Sequence, residues 1–421
     1  MRILWISNQA LPDIAIELGL TVGNGGTWMI EPSRQIAAQH SLAIAFPWEM
    51  SKEYKKGEKD GIVYYAIPMD NINAKMDENV IAHFEHIIKE FQPNVIHVWG
   101  TEYVHTYFAM LACEKLGMLD KAIISIQGMV SVIAQHFYGH IERREIRETI
   151  KDYIFGWGMK EQWMSFQKRG KLERESLKLS RHVMGRTDWD RACTTQINPK
   201  ITYHFCNETL RGSFYKNSWN IEFCEKHSLF VSQSHYPLKG FHHALEAVAI
   251  LKEEWPDVHL YTTGRNIITE DLKEKLLDNG YEKYLRKIIK EHDLEKYVTF
   301  LPHLSEQEMC QRFLKSHVFV SASSIENSPN SVGEAMLLGV PVVSSDVGGV
   351  KNMLVHGEEG YVYQPDASYM LAFYVSEIFK SDALAYRFSE NAKKHANQIF
   401  DKEVNYKRLL EIYKSLGKKK L

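Results

Sequence analysis

The chain has 421 residues, more than a single hydrophobic core usually supports, so two or three domains are expected. Its 51 Lys and Arg nearly balance 53 Asp and Glu, and the formal net charge of -2 gives no reason to expect nucleic-acid binding. The five cysteines are scattered and form no Cys-x-x-Cys pair, which indicates neither a disulfide framework nor a zinc site.

The chain begins with a strand-like run at residues 2–7, and this run has none of the features of a secretory leader. No apolar run approaches the roughly 18 residues that a spanning helix needs. We therefore expect a cytoplasmic protein. Peripheral contact with the inner face of the membrane stays open.

Apolar runs alternate with helical patterns along the whole chain, which predicts α/β architecture with parallel sheets covered by helices. In the first half we predict helices near 28–39, 77–90 and 103–115. The strands of this half are predicted at 3–7, 42–46, 61–67, 95–99, 122–126 and 182–185. Those of the second half are predicted at 228–232, 258–262, 298–301, 318–322, 341–345 and 360–363.

A polar, turn-rich stretch at 207–220 is predicted to link the two halves. The predicted domains are 1–212, 213–400 and a closing helical segment at 401–421. Residues 139–180 are charged, aromatic and too long for a simple crossover, which indicates a helical insertion. Two interpretations of it stay open: an interfacial surface for a lipid-linked acceptor, or a partly buried helical hairpin with a solvated face, which we favour.

The segment Gly23-Asn24-Gly25-Gly26 follows the first predicted strand and precedes a helix. Glycines there let the backbone approach a ligand closely, and the carboxyl end of a strand in a doubly wound sheet is where ligands bind. The alternative is an ordinary turn, which also uses glycine freely.

Lys239-Gly240 comes shortly after the first predicted strand of the second domain and opens a helix. A lysine at such a strand end can stabilise the charge that develops on a leaving diphosphate. The alternative is a solvated surface lysine.

Two carboxylates, Glu326 and Glu334, flank a predicted helix start. Asn327 or Ser328 is the predicted N-cap, with Pro329 at the first helical position. The unpaired amides at such a helix start and the positive end of its dipole suit a phosphate.

The pair of glutamates, the proline and asparagine between them, and the Leu-Gly-Val-Pro-Val-Val that follows resemble the E-x7-E motif of the family-four retaining glycosyltransferases with the GT-B fold. The resemblance implies two Rossmann-like domains facing a central cleft, with a C-terminal helix crossing back to the first domain. It implies transfer of a sugar from a nucleotide-diphosphate donor, of the UDP or GDP type, to a glycan or lipid-linked acceptor. The anomeric configuration would be retained, and the biological setting would be cell-surface polysaccharide synthesis.

The resemblance also assigns roles to residues. Glu326 would meet the donor sugar, Glu334 the ribose and Lys239 the diphosphate, with the base near the loop at 302–304. The remaining donor-binding residues that it implies are Gly25, Gly26, Asn330, Ser331 and Val332.

The sequence departs from the family pattern at two places. Gln233 and Ser234 stand where an arginine is expected, so Arg265 is a candidate to complete the phosphate clamp. Gln127 stands where the family carries a histidine, and glutamine can bond a sugar hydroxyl but cannot exchange a proton. His97 and His136 are substitutes for that histidine only if geometry allows.

The pattern Asp188-Trp189-Asp190 resembles the metal motif of glycosyltransferases with the GT-A fold. The local pattern instead favours Asp188 as a helix cap or first-turn acid, so we predict no metal and no other cofactor. Two rival functions stay open: a nucleotide-sugar epimerase of related fold, and a non-catalytic subunit that binds sugar nucleotides.

Overall fold

The computed structural model describes residues 1–20, 29–49, 51, 53–72, 75–146, 148–149, 152, 158–269 and 271–416. The chain forms two compact units. The first comprises Met1–Ala134, Met164–Thr209 and Phe400–Leu421, and the second comprises Gln135–Trp163 and Leu210–Ile399.

The first unit is built on an eight-stranded sheet. Its strands are β1 (Arg2–Ile6), β2 (Ser41–Pro47), β3 (Lys55–Lys59), β4 (Ile62–Ile67), β5 (Val95–Trp99), β6 (Ala122–Ser125), β7 (His182–Gly185) and β8 (Thr202–Phe205). The order is β3-β4-β2-β1-β5-β6-β7-β8, and only β3 runs antiparallel to its neighbour. The strand order reverses between β1 and β5, which makes the carboxyl ends of these strands the expected ligand site.

The sequence predicted six of these strands and missed β3 and β8. Strand β3 reads Lys-Lys-Gly-Glu-Lys and carries no apolar pattern. It forms because it lies at the edge of the sheet, where charged side chains reach solvent and discourage pairing with another chain. Strand β8 occupies the opposite edge and is partly exposed along its length.

Helices cover the first sheet. They are α1 (Pro12–Glu17), α2 (Ile30–Ala37), α3 (Glu78–Phe91), α4 (His105–Lys115), α5 (Val130–Ile133), α6 (Met159–Leu179) and α7 (Asp188–Ile197). Helix α3 shows why these segments fold as they do: the Asp77 side chain caps its first amides, and an apolar stripe that includes Phe84 and Phe91 is buried against the sheet.

The second unit contains a fully parallel six-stranded sheet. Its strands are β9 (Glu225–Val231), β10 (His259–Thr263), β11 (Val298–Leu301), β12 (Ser316–Ser321), β13 (Val342–Ser345) and β14 (Gly360–Tyr363). The order β11-β10-β9-β12-β13-β14 is that of a dinucleotide-binding Rossmann fold, with its switch point between β9 and β12. All six strands were predicted from the sequence.

The helices of the second unit are α8 (Phe241–Glu254), α9 (Leu272–Lys275), α10 (Gly280–Glu291), α11 (Glu306–Lys315), α12 (Asn330–Leu338), α13 (Ser368–Phe379) and α14 (Asp382–Ile399). Residues 135–163, which the predicted boundaries give to the first domain, also pack in this unit. Gly139 has a φ of +59°, and a Cβ at this position would lie 2.4 Å from the Pro237 carbonyl oxygen. Only glycine therefore fits where this segment meets the turn before α8.

The last helix, α15 (Lys402–Ser415), belongs to the first unit. Its Tyr413 is buried, and the hydroxyl lies 3.0 Å from Trp5 Nε1 and 2.6 Å from His97 Nδ1. These bonds hold the end of the chain to β1 and β5, so the predicted return of the C-terminal helix to the first domain is confirmed. None of the helices in the described ranges is both long and apolar enough to cross a membrane.

Candidate functional site

The carboxyl ends of β9 and β12 are joined closely by backbone contacts. The Ser324 amide donates to the Leu238 carbonyl at 2.8 Å. Gly240 has a φ of +65°, and a Cβ there would lie 1.8 Å from the Ala322 carbonyl oxygen. Because any side chain at this glycine would clash with backbone, the turn after β9 and the loop after β12 form one surface at the switch point.

Lys239 and Glu326 lie together on this surface. Lys239 Nζ is 2.6 Å from Glu326 Oε1, which also accepts a hydrogen bond from Ser323 Oγ at 2.7 Å. The two side chains are 26% and 15% exposed, so both remain reachable by a ligand. Burial lowers the pKa of Lys239, but the Glu326 carboxylate outweighs it, and the pKa of the ammonium lies above its usual value. The Lys239 side chain is therefore charged at any physiological pH.

Helix α12 begins beside this pair, and its start differs from the prediction. The helix begins at Asn330, with Pro329 in the N-cap position and no side chain capping it. Neither Asn327 nor Ser328 serves as the predicted N-cap. The Val332 amide already donates to the Pro329 carbonyl at 3.0 Å.

Val332 is therefore a poorer phosphate ligand than the sequence predicted. The amides of Asn330 and Ser331 lie in the first turn, where helix amides have no intrahelical acceptor. A helix start without a side-chain cap is the arrangement that favours a bound anion.

Glu334 lies one turn into α12 and is buried. Arg211 forms a bidentate interaction with its carboxylate: Nε donates to Oε1 and NH2 donates to Oε2, each at 2.6 Å. The two side chains are 5% and 16% exposed. Burial raises the pKa of Glu334, and Arg211 opposes that shift. Each carboxylate oxygen keeps a lone pair that can accept a further hydrogen bond.

Sequence reasoning missed Arg211. It lies in the predicted linker, where polar residues are usually solvated, and it is 123 positions from Glu334. Arg211 directly precedes a short 3-10 helix, Gly212–Tyr215, whose residues contact its surroundings. The Phe214 ring is 4.7 Å from the guanidinium carbon, and Ser213 donates to Glu306 through both its amide and its hydroxyl.

Arg265 follows β10, and its guanidinium is occupied by acidic side chains. It donates to Glu282 at 3.0 and 3.1 Å and also to Asp278. Glu274 adds a third ion pair at 3.6 Å, so a phosphate would have to compete with three carboxylates for Arg265. Of the two cations considered for the phosphate, Lys239 has the freer geometry.

Two other predicted features are less defined. Gly25 and Gly26 lie outside the described residues. The loop proposed for the base follows β11, and Pro302 and His303 within it are exposed.

In the first unit, Gln127 follows β6 and is held by a charged pair. Its side-chain amide donates to Glu208 Oε1, and Glu208 forms a salt bridge with Arg186, which follows β7. His97 is fully buried, and burial lowers its pKa to about 3. Bonded to Tyr413 in the core, it is not placed to substitute for the expected histidine. His136 packs in the second unit.

The Asp-x-Asp pattern is structural. Thr187 caps α7, and Asp190 is buried, accepting from the Arg186 amide at 2.9 Å and from the Tyr203 hydroxyl. Asp188 lies in the first turn of the helix, as the sequence predicted. Within the described part of the chain, no group of three or more His, Cys, Asp or Glu side chains could hold a metal ion.

Residues 215–395 match the model of the family described as glycosyl transferases group 1. The match lies within the second unit and includes Lys239, Glu326 and Glu334, whereas Gln127 and Arg211 fall outside it. A curated relative, trehalose synthase from Pyrococcus horikoshii, is 30% identical over 182 residues, which are 43% of this chain and 42% of that protein. The chain spans about half or less of the length of the curated relatives it matches.

Solved structures match over nearly the whole chain. Sucrose-phosphate synthase from Thermosynechococcus elongatus superposes with a TM-score of 0.71 and 14% identity, covering 99% of both chains. Anabaena Alr3699/HepE, solved in complex with UDP-glucose, gives a TM-score of 0.69 and 15% identity, covering 98% of this chain and 99% of that one. The two Rossmann-like sheets and these matches confirm the predicted GT-B fold. On this fold, residues 215–395 are similar to the glycosyl transferases group 1 family.

Proposed function

We propose that the protein is a glycosyltransferase that moves a sugar from a nucleotide-diphosphate donor to a glycan or lipid-linked acceptor with retention of anomeric configuration. The observation that carries this proposal is the placement of Lys239, Glu326 and the start of α12 on one surface at the switch point of the second sheet. A cation, a carboxylate and unpaired amides are the groups that a nucleotide sugar needs.

The donor diphosphate would exchange partners with the Lys239–Glu326 pair. Both side chains are mostly buried, so separating them without a new partner is costly. A diphosphate supplies that partner to Lys239, and its negative charge repels Glu326. The freed carboxylate then accepts hydrogen bonds from the hydroxyls of the donor sugar. Donor binding and the orientation of Glu326 are thereby coupled.

Glu334 would bind the ribose hydroxyls of the donor. Arg211 keeps this buried carboxylate oriented, while its remaining lone pairs accept from the ribose. The relation to an Anabaena structure that holds UDP-glucose supports a donor of the UDP type. GDP donors remain the alternative from the sequence resemblance.

Retention is proposed to follow from front-face substitution, in which the leaving phosphate helps to deprotonate the acceptor hydroxyl. Gln127 cannot act as a base, because an amide does not exchange a proton in this pH range. Lys239 would stabilise the charge that grows on the departing diphosphate. Synthesis of a cell-surface polysaccharide is the proposed setting and rests on the sequence resemblance.

We also propose that catalysis needs no metal. Asp190, one of the two acids in the only pattern that resembled a metal motif, is buried and bonded to an amide and a phenol. Lys239 and the start of α12 supply the positive potential that a diphosphate requires.

Product analysis tests the proposal. The purified 421-residue chain is incubated with UDP-, GDP- and ADP-sugars, with and without an oligosaccharide acceptor mixture, in EDTA and in Mg²⁺. The proposal predicts release of the nucleoside diphosphate, transfer of the sugar with its anomeric configuration kept, and equal rates in the two buffers. A changed sugar still attached to its nucleotide would identify an epimerase, and binding without turnover would identify a non-catalytic subunit.

A further inference from the structure

The backbone of Glu326 is held by the loop after β13. Its carbonyl oxygen accepts a hydrogen bond from the Gly349 amide at 3.1 Å. Gly348 has a φ of +51°, and a Cβ there would lie 1.7 Å from the same oxygen. Because only glycine fits this contact, the position of the Glu326 backbone is set before a ligand arrives. The backbone leaves open the direction of the carboxylate.

Two side chains direct that carboxylate, and both contact the same oxygen. Lys239 Nζ lies 2.6 Å from Oε1, and the Ser323 hydroxyl donates to Oε1 at 2.7 Å. Within the described part of the chain, both hydrogen bonds of the Glu326 carboxylate therefore go to Oε1, which leaves Oε2 for a ligand. The two partners respond differently to a donor. The diphosphate is proposed to draw Lys239 away, whereas Ser323 carries no charge that a diphosphate attracts.

Ser323 is itself fixed in the loop after β12. It is 3% exposed, and its carbonyl accepts a hydrogen bond at 2.6 Å from the hydroxyl of Ser345, the last residue of β13. The next residue, Ser324, donates its amide to the Leu238 carbonyl at 2.8 Å. Since the backbone is tied on both sides of Ser323, its hydroxyl stays beside Glu326 when Lys239 moves.

Loss of both partners would leave a mostly buried carboxylate without a hydrogen bond. The Glu326 side chain is 15% exposed, and an unpaired charge in such a place is costly. A hydrogen bond to an ionised carboxylate is roughly twice as strong as one between neutral groups. The Ser323 hydroxyl therefore keeps the carboxylate in one orientation during the exchange of Lys239 from Glu326 to the diphosphate.

We propose that Ser323 is a positioning residue of the transfer reaction: its hydroxyl holds Glu326 Oε1 after Lys239 has moved to the diphosphate, so that Oε2 accepts from the donor sugar. The inference rests on the proposed glycosyltransferase function and adds a residue that acts through Glu326 without touching the substrate. It also assigns the two carboxylate oxygens, Oε1 to the protein and Oε2 to the sugar.

A double-mutant cycle on the 421-residue chain tests this role. Turnover with the sugar donor that the wild type uses is measured for Ser323→Ala, for Glu326→Ala and for the variant that carries both changes. Ser324→Ala is the matched control, because this neighbouring side chain is also 3% exposed and its hydroxyl has no hydrogen-bond partner among the described residues. Ser323→Thr keeps the hydroxyl. Melting temperature and titration with UDP, GDP and ADP check folding and nucleotide binding in every variant.

We expect Ser323→Ala to lower turnover about tenfold, the effect of one hydrogen bond to a charged group. In the Glu326→Ala background the same change should have no further effect, because the hydroxyl then has no carboxylate to hold. A merely structural role of Ser323 would instead add to the loss in both backgrounds. Ser324→Ala should keep the turnover of the wild type, and Ser323→Thr should keep most of it.

Three results would overturn the inference. They are wild-type turnover in Ser323→Ala, an equal loss from this change with and without Glu326, and a Ser323→Thr variant that folds like the wild type yet is as slow as Ser323→Ala. The wild type separates the two levels of the account. If it transfers sugar but shows one of these results, only the role of Ser323 is rejected, whereas a wild type without nucleotide binding or turnover rejects the proposed function and the role with it.

Discussion

The switch points of the two sheets differ in how their charged groups are held. In the second unit, Lys239 and Arg211 each face one carboxylate at 2.6 Å, so the charges form matched pairs that a donor can rearrange. In the first unit, Arg169 has two acidic neighbours, Glu102 and Glu173. The first arrangement fits the proposed donor site, because a diphosphate can take the place of Glu326 beside Lys239. The comparison indicates that a cation paired with a single carboxylate distinguishes the proposed donor site from the switch point of the first sheet.

Replacing Glu326 should have the largest effect. Glu326→Ala removes the carboxylate that is proposed to meet the donor sugar and leaves Lys239 without its partner. We expect turnover to fall by about a thousandfold or more, at the upper end of what removal of one preorganised charge stabiliser costs. The fold should persist, because the contacts of Glu326 with the loop after β13 are made by its backbone carbonyl.

Turnover and melting temperature measured on Glu326→Ala and on the exposed control Glu358→Ala check this expectation. Near-normal turnover of Glu326→Ala would show that Glu326 does not contact the donor sugar.

Lys239→Ala should depress kcat by roughly 2.7–4 kcal/mol of barrier, because the variant loses the cation that is proposed to stabilise the leaving diphosphate. The structure sharpens the rescue experiment. Ser234 is buried, and its hydroxyl bonds the Thr263 carbonyl, whereas Gln233 is exposed. An arginine introduced by Gln233→Arg should therefore restore part of the rate, and Ser234→Arg should not.

Steady-state kinetics of these variants and of the surface control Lys283→Ala provide the measurement. If Lys239→Ala kept both its rate and its donor affinity, the diphosphate would be held elsewhere, and Arg265 would be the next candidate.

Arg211→Met should weaken donor binding about ten- to a hundredfold, the cost of losing one charged hydrogen-bond partner. Arg211 acts through Glu334, which in the variant lacks the group that keeps its carboxylate charged and oriented. The lost affinity should therefore come from the contact with the ribose hydroxyls alone. Wild-type protein should discriminate against a 2′,3′-dideoxynucleotide, and Arg211→Met and Glu334→Ala should not.

Calorimetric titration with both nucleotides measures this discrimination. Arg312→Met, which breaks the ion pair with Glu225 elsewhere in the same unit, controls for general destabilisation. Equal weakening toward both nucleotides would reduce Arg211 to a structural role.

The smallest effect concerns the buried acid of the first unit. Glu173 accepts hydrogen bonds from two amides and two hydroxyls, none of which is charged. Burial raises its pKa from 4.5 to about 7. Because the folded pKa exceeds the unfolded one, the stability that this group contributes is complete below about pH 4.5 and is lost as the pH rises through about 7.

The melting-temperature difference between wild type and Glu173→Gln should therefore be larger at about pH 5 than at about pH 8. The exposed control Glu175→Gln should show no such trend. A melting-temperature difference for Glu173→Gln that does not change with pH would contradict the raised pKa of Glu173.

The two sites also differ in how far the sequence predicts them. Lys239 and Glu326 each lie in the loop that follows a predicted strand, and parallel strands bring such loops to one edge, so their proximity follows from local patterns. The start of α12 was misplaced by one residue because Pro329 fits both the N-cap and the first turn.

The contacts of Arg211 and Arg169 could not be predicted. Each acquires its role from residues far along the chain, and linker and insertion segments carry no periodicity that reveals what they pack against. The same holds for β3, whose charges are explained only by its position at the sheet edge.

Titration of the 421-residue chain with UDP, GDP and ADP tests the central claim most directly, namely that the second unit holds the diphosphate of a nucleotide sugar through Lys239. We predict that one of these nucleotides binds the wild-type protein with 1:1 stoichiometry. Binding should be at least about tenfold weaker in Lys239→Ala, as expected for a lost charged contact, and unchanged in Lys283→Ala. Absence of binding by all three nucleotides, or equal affinity in wild type and Lys239→Ala, would contradict the account.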